Sequence, residues 1–225
     1  MNILVTGSSG YIGTLLCKCL SMIGYSVTEF DLKRSLHEDI LNTEYLESIL
    51  IKNKIGVVFH LAAMRSIDEC ENSLHACVDI NLNASKAIYD LCQKNSIKLI
   101  FSSTHAVTHF KQNKYATCKA LAEKHMSNAV IIRLCNVVGG SDSNSLHKFP
   151  SLTDNIISAI SGGKSLILYG NCKRNFVFIN DVVDFFIKAI DLNSGIYTCS
   201  GNINTDMKNW INMFEQYFNR TIDIN

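Results

Sequence analysis

Leu4-Val5-Thr6-Gly7-Ser8-Ser9-Gly10-Tyr11-Ile12-Gly13 stands at the head of the chain and decides how the rest is read. Its apolar start, Ile3–Val5, predicts a short buried strand, and Tyr11–Gly24 predicts a helix. Gly7, Gly10 and Gly13 fall in the turn between them. Glycines there let backbone approach a ligand closely, and the free N–H groups at the helix start attract negative charge such as a pyrophosphate. Gly7, Gly10, Tyr11, Ile12 and Gly13 are the candidate contacts. A tight turn without a ligand has the same local sequence, so the remainder of the chain must decide.

Apolar runs at Ser26–Phe30, Val57–His60, Leu99–Ser102 and Val130–Leu134 alternate with helical patterns at Thr43–Lys52, Leu74–Lys94 and Gln112–Met126. Short buried strands separated by helices indicate a parallel sheet covered on both faces. Residues 1–138 therefore read as an α/β domain, a doubly wound parallel sheet of the Rossmann type. Residues 139–225 read as a small lobe interleaved with that sheet. The lobe has a loop (Gly139–Pro150), a helix (Leu152–Ser161), strands at Leu166–Tyr169 and Phe176–Ile179, and a helix from Asp181, its expected N-cap. A strand (Ile196–Thr198) and a helix (Thr205–Phe218) follow.

Composition narrows the class. The 225 residues are 47% hydrophobic, with 21 basic and 20 acidic side chains and a net charge of +1. No basic stripe argues for nucleic acid, and no basic amphipathic helix or long apolar segment argues for a membrane. Nine cysteines are scattered and odd in number, with no C-x-x-C pair, so neither zinc nor a disulfide framework is expected. No metal is expected, and a cytoplasmic location is.

The second strand ends at Asp31, 18 residues after Gly13. A carboxylate there accepts both ribose hydroxyls of an adenosine, which favours NAD over NADP. It also reads as a solvated strand end, and the adjacent Lys33 and Arg34 suit a 2′-phosphate. Asp39 and Ile40 are placed to flank an adenine, the carboxylate near its amino group and the aliphatic chain against its face. His60-Leu61-Ala62-Ala63 closes the third strand with residues small enough for a dinucleotide to pass, or simply packs as a strand end.

Tyr115 and Lys119 stand at i and i+4 on one helix face. A phenol is a poor base at neutral pH, and an adjacent ammonium lowers its pKa toward the working range. The spacing alone also occurs on ordinary helix surfaces. It gains weight from Phe101-Ser102-Ser103-Thr104, which sets a hydroxyl at the carboxyl edge of the sheet, where ligands of open α/β sheets collect.

Taken in order, these motifs make the chain similar to an extended short-chain dehydrogenase/reductase, of the NAD-dependent epimerase/dehydratase family that acts on nucleotide sugars. The matching residues are the glycine turn, Asp31, Asp39-Ile40, His60-Leu61-Ala62-Ala63, Asn81, Ser102-Ser103-Thr104, Tyr115-x-x-x-Lys119 and Arg133-Leu134-Cys135-Asn136. Arg174-Asn175-Phe176 through Asp181 resembles a further family segment. The resemblance implies that Thr104 hydrogen-bonds the sugar oxygen, Tyr115 is the general base, and Lys119 holds the nicotinamide ribose. It implies that Asn81 supports the helix and water behind that lysine. It gives Asn136 and Arg174 to the nucleotide-diphosphate part of the substrate, for which a guanidinium is suited.

The resemblance further implies a UDP-sugar 4-epimerase, with a nucleotide-4-keto-sugar reductase as the alternative. A non-catalytic dinucleotide-binding regulator is a second alternative. Dehydratases of the family carry Thr-Asp-Glu where this chain has Thr104-His105-Ala106, which disfavours elimination. Thr104 and Tyr115 are closer than usual, and the lobe is short relative to typical members, so the substrate cleft is expected to be more open. Family dimers pair through the helices matching Leu74–Lys94 and Gln112–Met126, so a homodimer is expected. Ile80, Ala84, Ala87, Ile88 and Leu91 provide the apolar face, which packing on the chain's own sheet explains equally well.

Overall fold

A computed structural model describes residues 1–139, 152–162, 165–166 and 172–222. The chain forms two compact units, Met1–Leu134 with Val182–Cys199, and Cys135–Asp181 with Ser200–Asn225. The first begins β1 (Asn2–Thr6), α1 (Tyr11–Met22), β2 (Ser26–Phe30), α2 (Thr43–Lys52) and β3 (Val57–His60). It continues through α3 (Ile67–Asn72), α4 (Leu74–Val78), α5 (Ala84–Lys94), β4 (Lys98–Thr104), α6 (Lys114–His125) and β5 (Val130–Leu134). Then come β6 (Asn136–Val138), α7 (Leu152–Ile160), β7 (Lys173–Phe178), α8 (Ile179–Lys188), β8 (Gly195–Cys199), β9 (Ile203–Asp206) and α9 (Met207–Phe218).

In the first unit six strands form one sheet in the order β2-β1-β3-β4-β5-β8, every neighbouring pair parallel. Parallel neighbours need crossovers, and the helices supply them while covering the sheet. All four residues of β3 are buried, as a strand covered on both faces requires. Leu4, Phe30, Leu46, Val58, Ile88, Leu99 and Phe101 belong to one buried cluster. Two of the helices start on asparagine side-chain caps, whereas the helix expected from Gln112 starts at Lys114 and that expected from Thr205 starts at Met207. The Asn42 side chain accepts the Tyr45 N–H (3.2 Å) at α2, and Asn113 accepts the Ala116 N–H (2.7 Å) at α6.

Leu74–Lys94 reads as one helix, and a π-helical segment at Asp79–Asn83 joins its two α-helical parts. Ala84 and Ile88 on its apolar stripe enter the unit's own core, with Ile80 and Leu91 packed against it. The stripe is thus an inward face.

In the second unit β6 pairs parallel with β7, and β7 antiparallel with β9. Phe176 stacks on Trp210 at 4.2 Å between ring centroids and 12° between planes, within a core that includes Val138, Ile156, Met207 and Ile211. The helix expected from Asp181 starts at Ile179. Asp181 is therefore not an N-cap; it lies in the first turn, where a carboxylate still faces the positive end of the helix dipole. Of the expected loop and strand, residues 140–150 and 167–169 lie outside the described residues. No helix among the described residues is long and apolar enough to cross a membrane.

Candidate active site

The sheet reverses its direction of growth at β1, with β2 on one side and β3 on the other. Ligands of open α/β sheets bind at the carboxyl ends of the strands beside such a point. The glycine turn follows β1 there. Gly7 has φ +71°, and a Cβ on it would lie 2.7 Å from the Ala62 nitrogen. A Cβ on Gly13 would collide with the Gly7 carbonyl oxygen. The Gly7 N–H donates to Phe30 C=O (2.9 Å) and the Gly10 N–H to Gly7 C=O (3.0 Å), so the turn is closed on itself. The backbone of Leu61 and Ala62 therefore lies against the turn, with Ala63 next in the chain. Tyr11 and Ile12 open α1 just beyond it.

Ser8 was not foreseen. Its side chain is 2% exposed, and its Oγ has no hydrogen-bond partner among the described residues. A buried hydroxyl without a partner is costly unless a ligand completes it. Together with the helix-start N–H groups it fits an anionic oxygen, so the residues present fit a dinucleotide pyrophosphate.

Asp31 is held to the same turn. Its Oδ2 accepts the Ser9 N–H (3.0 Å) and its Oδ1 the Lys33 N–H (2.9 Å). Arg34, which the sequence leaves open to a 2′-phosphate, is engaged elsewhere: its guanidinium lies 2.7 Å from Glu29 and 3.8 Å from Glu38. Asp39 accepts the Leu41 N–H (2.9 Å), while the Ile40 side chain is in the core at 6% exposure. Ile40 can thus meet an adenine through its backbone more readily than through the expected aliphatic face.

Behind the turn runs a buried polar chain. The Ala62 N–H donates to Thr6 Oγ1 (3.3 Å), which contacts His60 Nδ1 (2.7 Å); His60 Nε2 contacts Ser85 Oγ (3.0 Å). Burial, reinforced by the nearby Lys119 charge, pushes the His60 pKa down to about 3, so the ring is neutral.

Thr104 ends β4 at the same sheet edge, its hydroxyl accepting the Ala106 N–H (3.2 Å). Tyr115 lies half-buried in the first turn of α6, and Lys119 is one turn on, 1% exposed. The Lys119 ammonium donates to Ser102 C=O (2.9 Å) and lies 4.4 Å from the centroid of the Phe101 ring. Burial pushes its pKa down to about 7, opposed by the negative charge of Glu123. Tyr115 moves the other way, pushed up to about 12 chiefly by burial, with Cys70 and Cys77 adding and the Arg65 guanidinium opposing. The Arg65 guanidinium is thus a cation near the phenol that the i,i+4 spacing does not reveal.

Asn81 is fully buried in the π segment. Its carboxamide accepts the Met64 N–H (3.0 Å) and donates to Met64 C=O (2.9 Å), with Cys77 and Cys70 sulfurs at 3.4 and 3.6 Å. It therefore clamps the segment that follows Leu61–Ala63. Among the described residues no group of three His, Cys, Asp or Glu is arranged to hold a metal.

In the second unit Arg174 Nη1 donates to Asn136 Oδ1 (3.2 Å), and Asn136 Nδ2 donates to Asn175 C=O (3.0 Å). Strands β6 and β7 bring the two predicted diphosphate ligands together.

The order of these elements is matched by the model of one family, the NAD dependent epimerase/dehydratase family, over residues 3–199. The chain belongs to that family. It is 27% identical to a UDP-N-acetyl-alpha-D-glucosaminuronate decarboxylase of Bacillus cytotoxicus, over 84% of this chain and 70% of the relative. To a UDP-glucose 4-epimerase of Rhizobium meliloti it is 25% identical, over 84% of this chain and 72% of the relative. Among solved structures, a UDP-N-acetylglucosamine 4-epimerase from Methanobrevibacter ruminantium, in complex with UDP-N-acetylmuramic acid, superposes with TM-score 0.83. That match has 26% identity and covers 99% of this chain and 84% of the other. Membership makes the Rossmann-type fold and an enzymatic lineage firm, while relatives at this distance carry out more than one reaction.

Proposed function

We propose that the chain is an NAD-dependent 4-epimerase of UDP-type sugars. The observation that carries this reading is the placement of Thr104, Tyr115 and buried Lys119 at the carboxyl edge of a parallel sheet, on the same edge as the glycine turn. NAD, when bound, supplies a hydride acceptor and donor and, in its oxidised form, a positive charge that would lower the Tyr115 phenol. Gly7, Gly10, Tyr11, Ile12 and Gly13 would hold its pyrophosphate with Ser8. Asp31 would take the adenosine ribose, Asp39 and Ile40 the adenine, and Leu61, Ala62 and Ala63 would border the dinucleotide. Asn81 holds that border in place, and Lys119 would meet the nicotinamide ribose.

The engagement of Arg34 by Glu29 and Glu38 supports NAD over NADP, since it leaves that guanidinium less available to a 2′-phosphate. Thr104 would hydrogen-bond the C4 oxygen while Tyr115 takes its proton, and Tyr115 would return that proton after the hydride comes back to the other face. In the second unit Arg174, oriented by Asn136, would bind the diphosphate. The absence of a carboxylate after Thr104 argues against elimination. The named activities of the Rhizobium and Methanobrevibacter relatives support the same choice.

The test is incubation with UDP-, dTDP- and GDP-sugars, including 4-keto sugars, with and without NADH or NADPH, with products read by NMR of the sugar ring. An isomer formed without added reductant is the expected result. A reduced product formed only with added cofactor would make the chain a 4-keto-sugar reductase. Binding of NAD with no product from any sugar would make it a regulator.

A further inference from the structure

Beyond Lys119, α6 carries a second buried polar group, one that the proposed reaction does not use. Glu123 is 8% exposed and lies one turn past Lys119. Ser103 Oγ donates to its Oε1 at 2.5 Å. Arg133 Nε donates to Oε1 and Oε2 (3.1 and 3.2 Å) and Nη2 to Oε2 (2.6 Å). Ser103 and Arg133 are register partners on β4 and β5, so two paired strands converge on one carboxylate from one helix. Ser103 immediately precedes Thr104, and the Lys119 ammonium is tied to the carbonyl of Ser102. The end of β4 and the face of α6 are thereby joined at two successive turns, with the three reacting groups beside the joint.

We propose that Glu123 is a positioning residue for Thr104, Tyr115 and Lys119: it pins α6 to the end of β4 and lends its charge to the buried Lys119 ammonium. A carboxylate with both oxygens bonded has one orientation, so α6 cannot slide along β4 without breaking charge-assisted bonds. The groups that act on Lys119 are Glu123 and Cys118 on its own helix; Lys119 in turn acts on the neutral His60 of β3, and Arg133 on β5 faces Glu123. Of these, Glu123 is the one carboxyl side chain, and it is paired with a guanidinium. The proposal rests on the epimerase reading for its effect on turnover, but not for its effect on Lys119.

The experiment compares wild type with Glu123→Gln, which keeps the size and can still accept from Ser103, and with Ser103→Ala, which keeps the charge. Lys119 titration is followed by ¹³C NMR of lysine-labelled protein, assigned with Lys119→Met. Turnover is followed against pH, and circular dichroism checks folding. Glu123→Gln should lower the Lys119 midpoint by about half a unit or more and move the alkaline limb of kcat to lower pH, with KM changed less than about twofold. Ser103→Ala should leave the midpoint in place and lower kcat about tenfold. A folded Glu123→Gln with an unmoved Lys119 midpoint overturns the proposal. So does a Ser103→Ala enzyme with full kcat. If wild type turns over no sugar, the epimerase reading fails alone, and the Lys119 midpoint still decides the role of Glu123.

Discussion

Burial keeps Tyr115 and His60 neutral at the candidate site, and each yields a residue-scale expectation. Tyr115, pushed up to about 12, is a neutral phenol until cationic charge is brought to it. Replacing it by Phe keeps the ring and removes the transferable proton. Tyr115→Phe should therefore lower kcat about 10²- to 10⁴-fold while NADH affinity, read by fluorescence, changes less than about twofold. Unchanged turnover of a confirmed sugar would remove Tyr115 from the role of base. His60 gives a pH expectation. Its pKa is about 3 when folded and 6.5 in the free side chain, so between those values the unfolded chain holds more protons. Stability from this group is present above pH 6.5 and is lost as pH falls through the window. Urea midpoints at pH 7 and pH 4.5 should show that His60→Gln is less stable than wild type at pH 7 yet loses less on acidification.

At the scale of elements, the proposed preference for NAD rests on which groups of β2 and the loop after it are already paired. Glu29 and Glu38 occupy Arg34, and Asp31 is fixed by the Ser9 and Lys33 N–H groups. Wild type should bind NADH more tightly than NADPH. Replacing Glu29 and Glu38 together by Gln releases Arg34 and should shift the NADPH/NADH affinity ratio about tenfold toward NADPH, the size of one charge-assisted bond; an unmoved ratio would show that Arg34 does not face the 2′ position. Elements with a strong period were legible in the sequence: Ser26–Phe30, Val57–His60, Val130–Leu134 and Thr43–Lys52 have the expected bounds. Elements whose reason lies elsewhere in the fold were not. Ile203–Asp206 is polar and is a strand because β7 pairs with it, and Asn136–Val138 is too short to show alternation. The π segment adds no sequence signal of its own, yet it buries Asn81 against Met64. The places of Tyr115 and Lys119 on one helix and of Thr104 at a strand end were legible because i,i+4 spacing and strand ends are local facts. Ser8 and Arg65 were not, because an orphaned hydroxyl and a charge acting across the fold exist only once the chain is folded. Glu123 stood in plain view at i+4 from Lys119, but its meaning depends on Arg133 arriving from another strand.

For the whole molecule, the open question that sequence poses most sharply is self-association. The stripe on α5 that suggested a partner helix is consumed internally, since Ala84 and Ile88 are buried in the unit's own core. A pairing surface on α5 and α6 must therefore be built from residues that point the other way. On α6, Ala116, Cys118, Lys119, Ala120, Ala122 and Glu123 are buried, whereas Leu121 is 44% exposed. Asp90 on α5 lies 2.8 Å from His125 on α6, which braces the two helices as one face. A large apolar side chain on a braced two-helix face is the kind of anchor an isologous interface uses, because a two-fold axis presents it to its own copy. We propose that the protein pairs through this face. Light scattering at micromolar concentration should give twice the 25.1 kDa chain mass, and Leu121→Glu should return it to one. A single mass for wild type would reject the dimer. A variant that stays dimeric would reject this face, and would direct the search to helices whose exposed apolar residues lie elsewhere, such as Met213 and Tyr217 on α9.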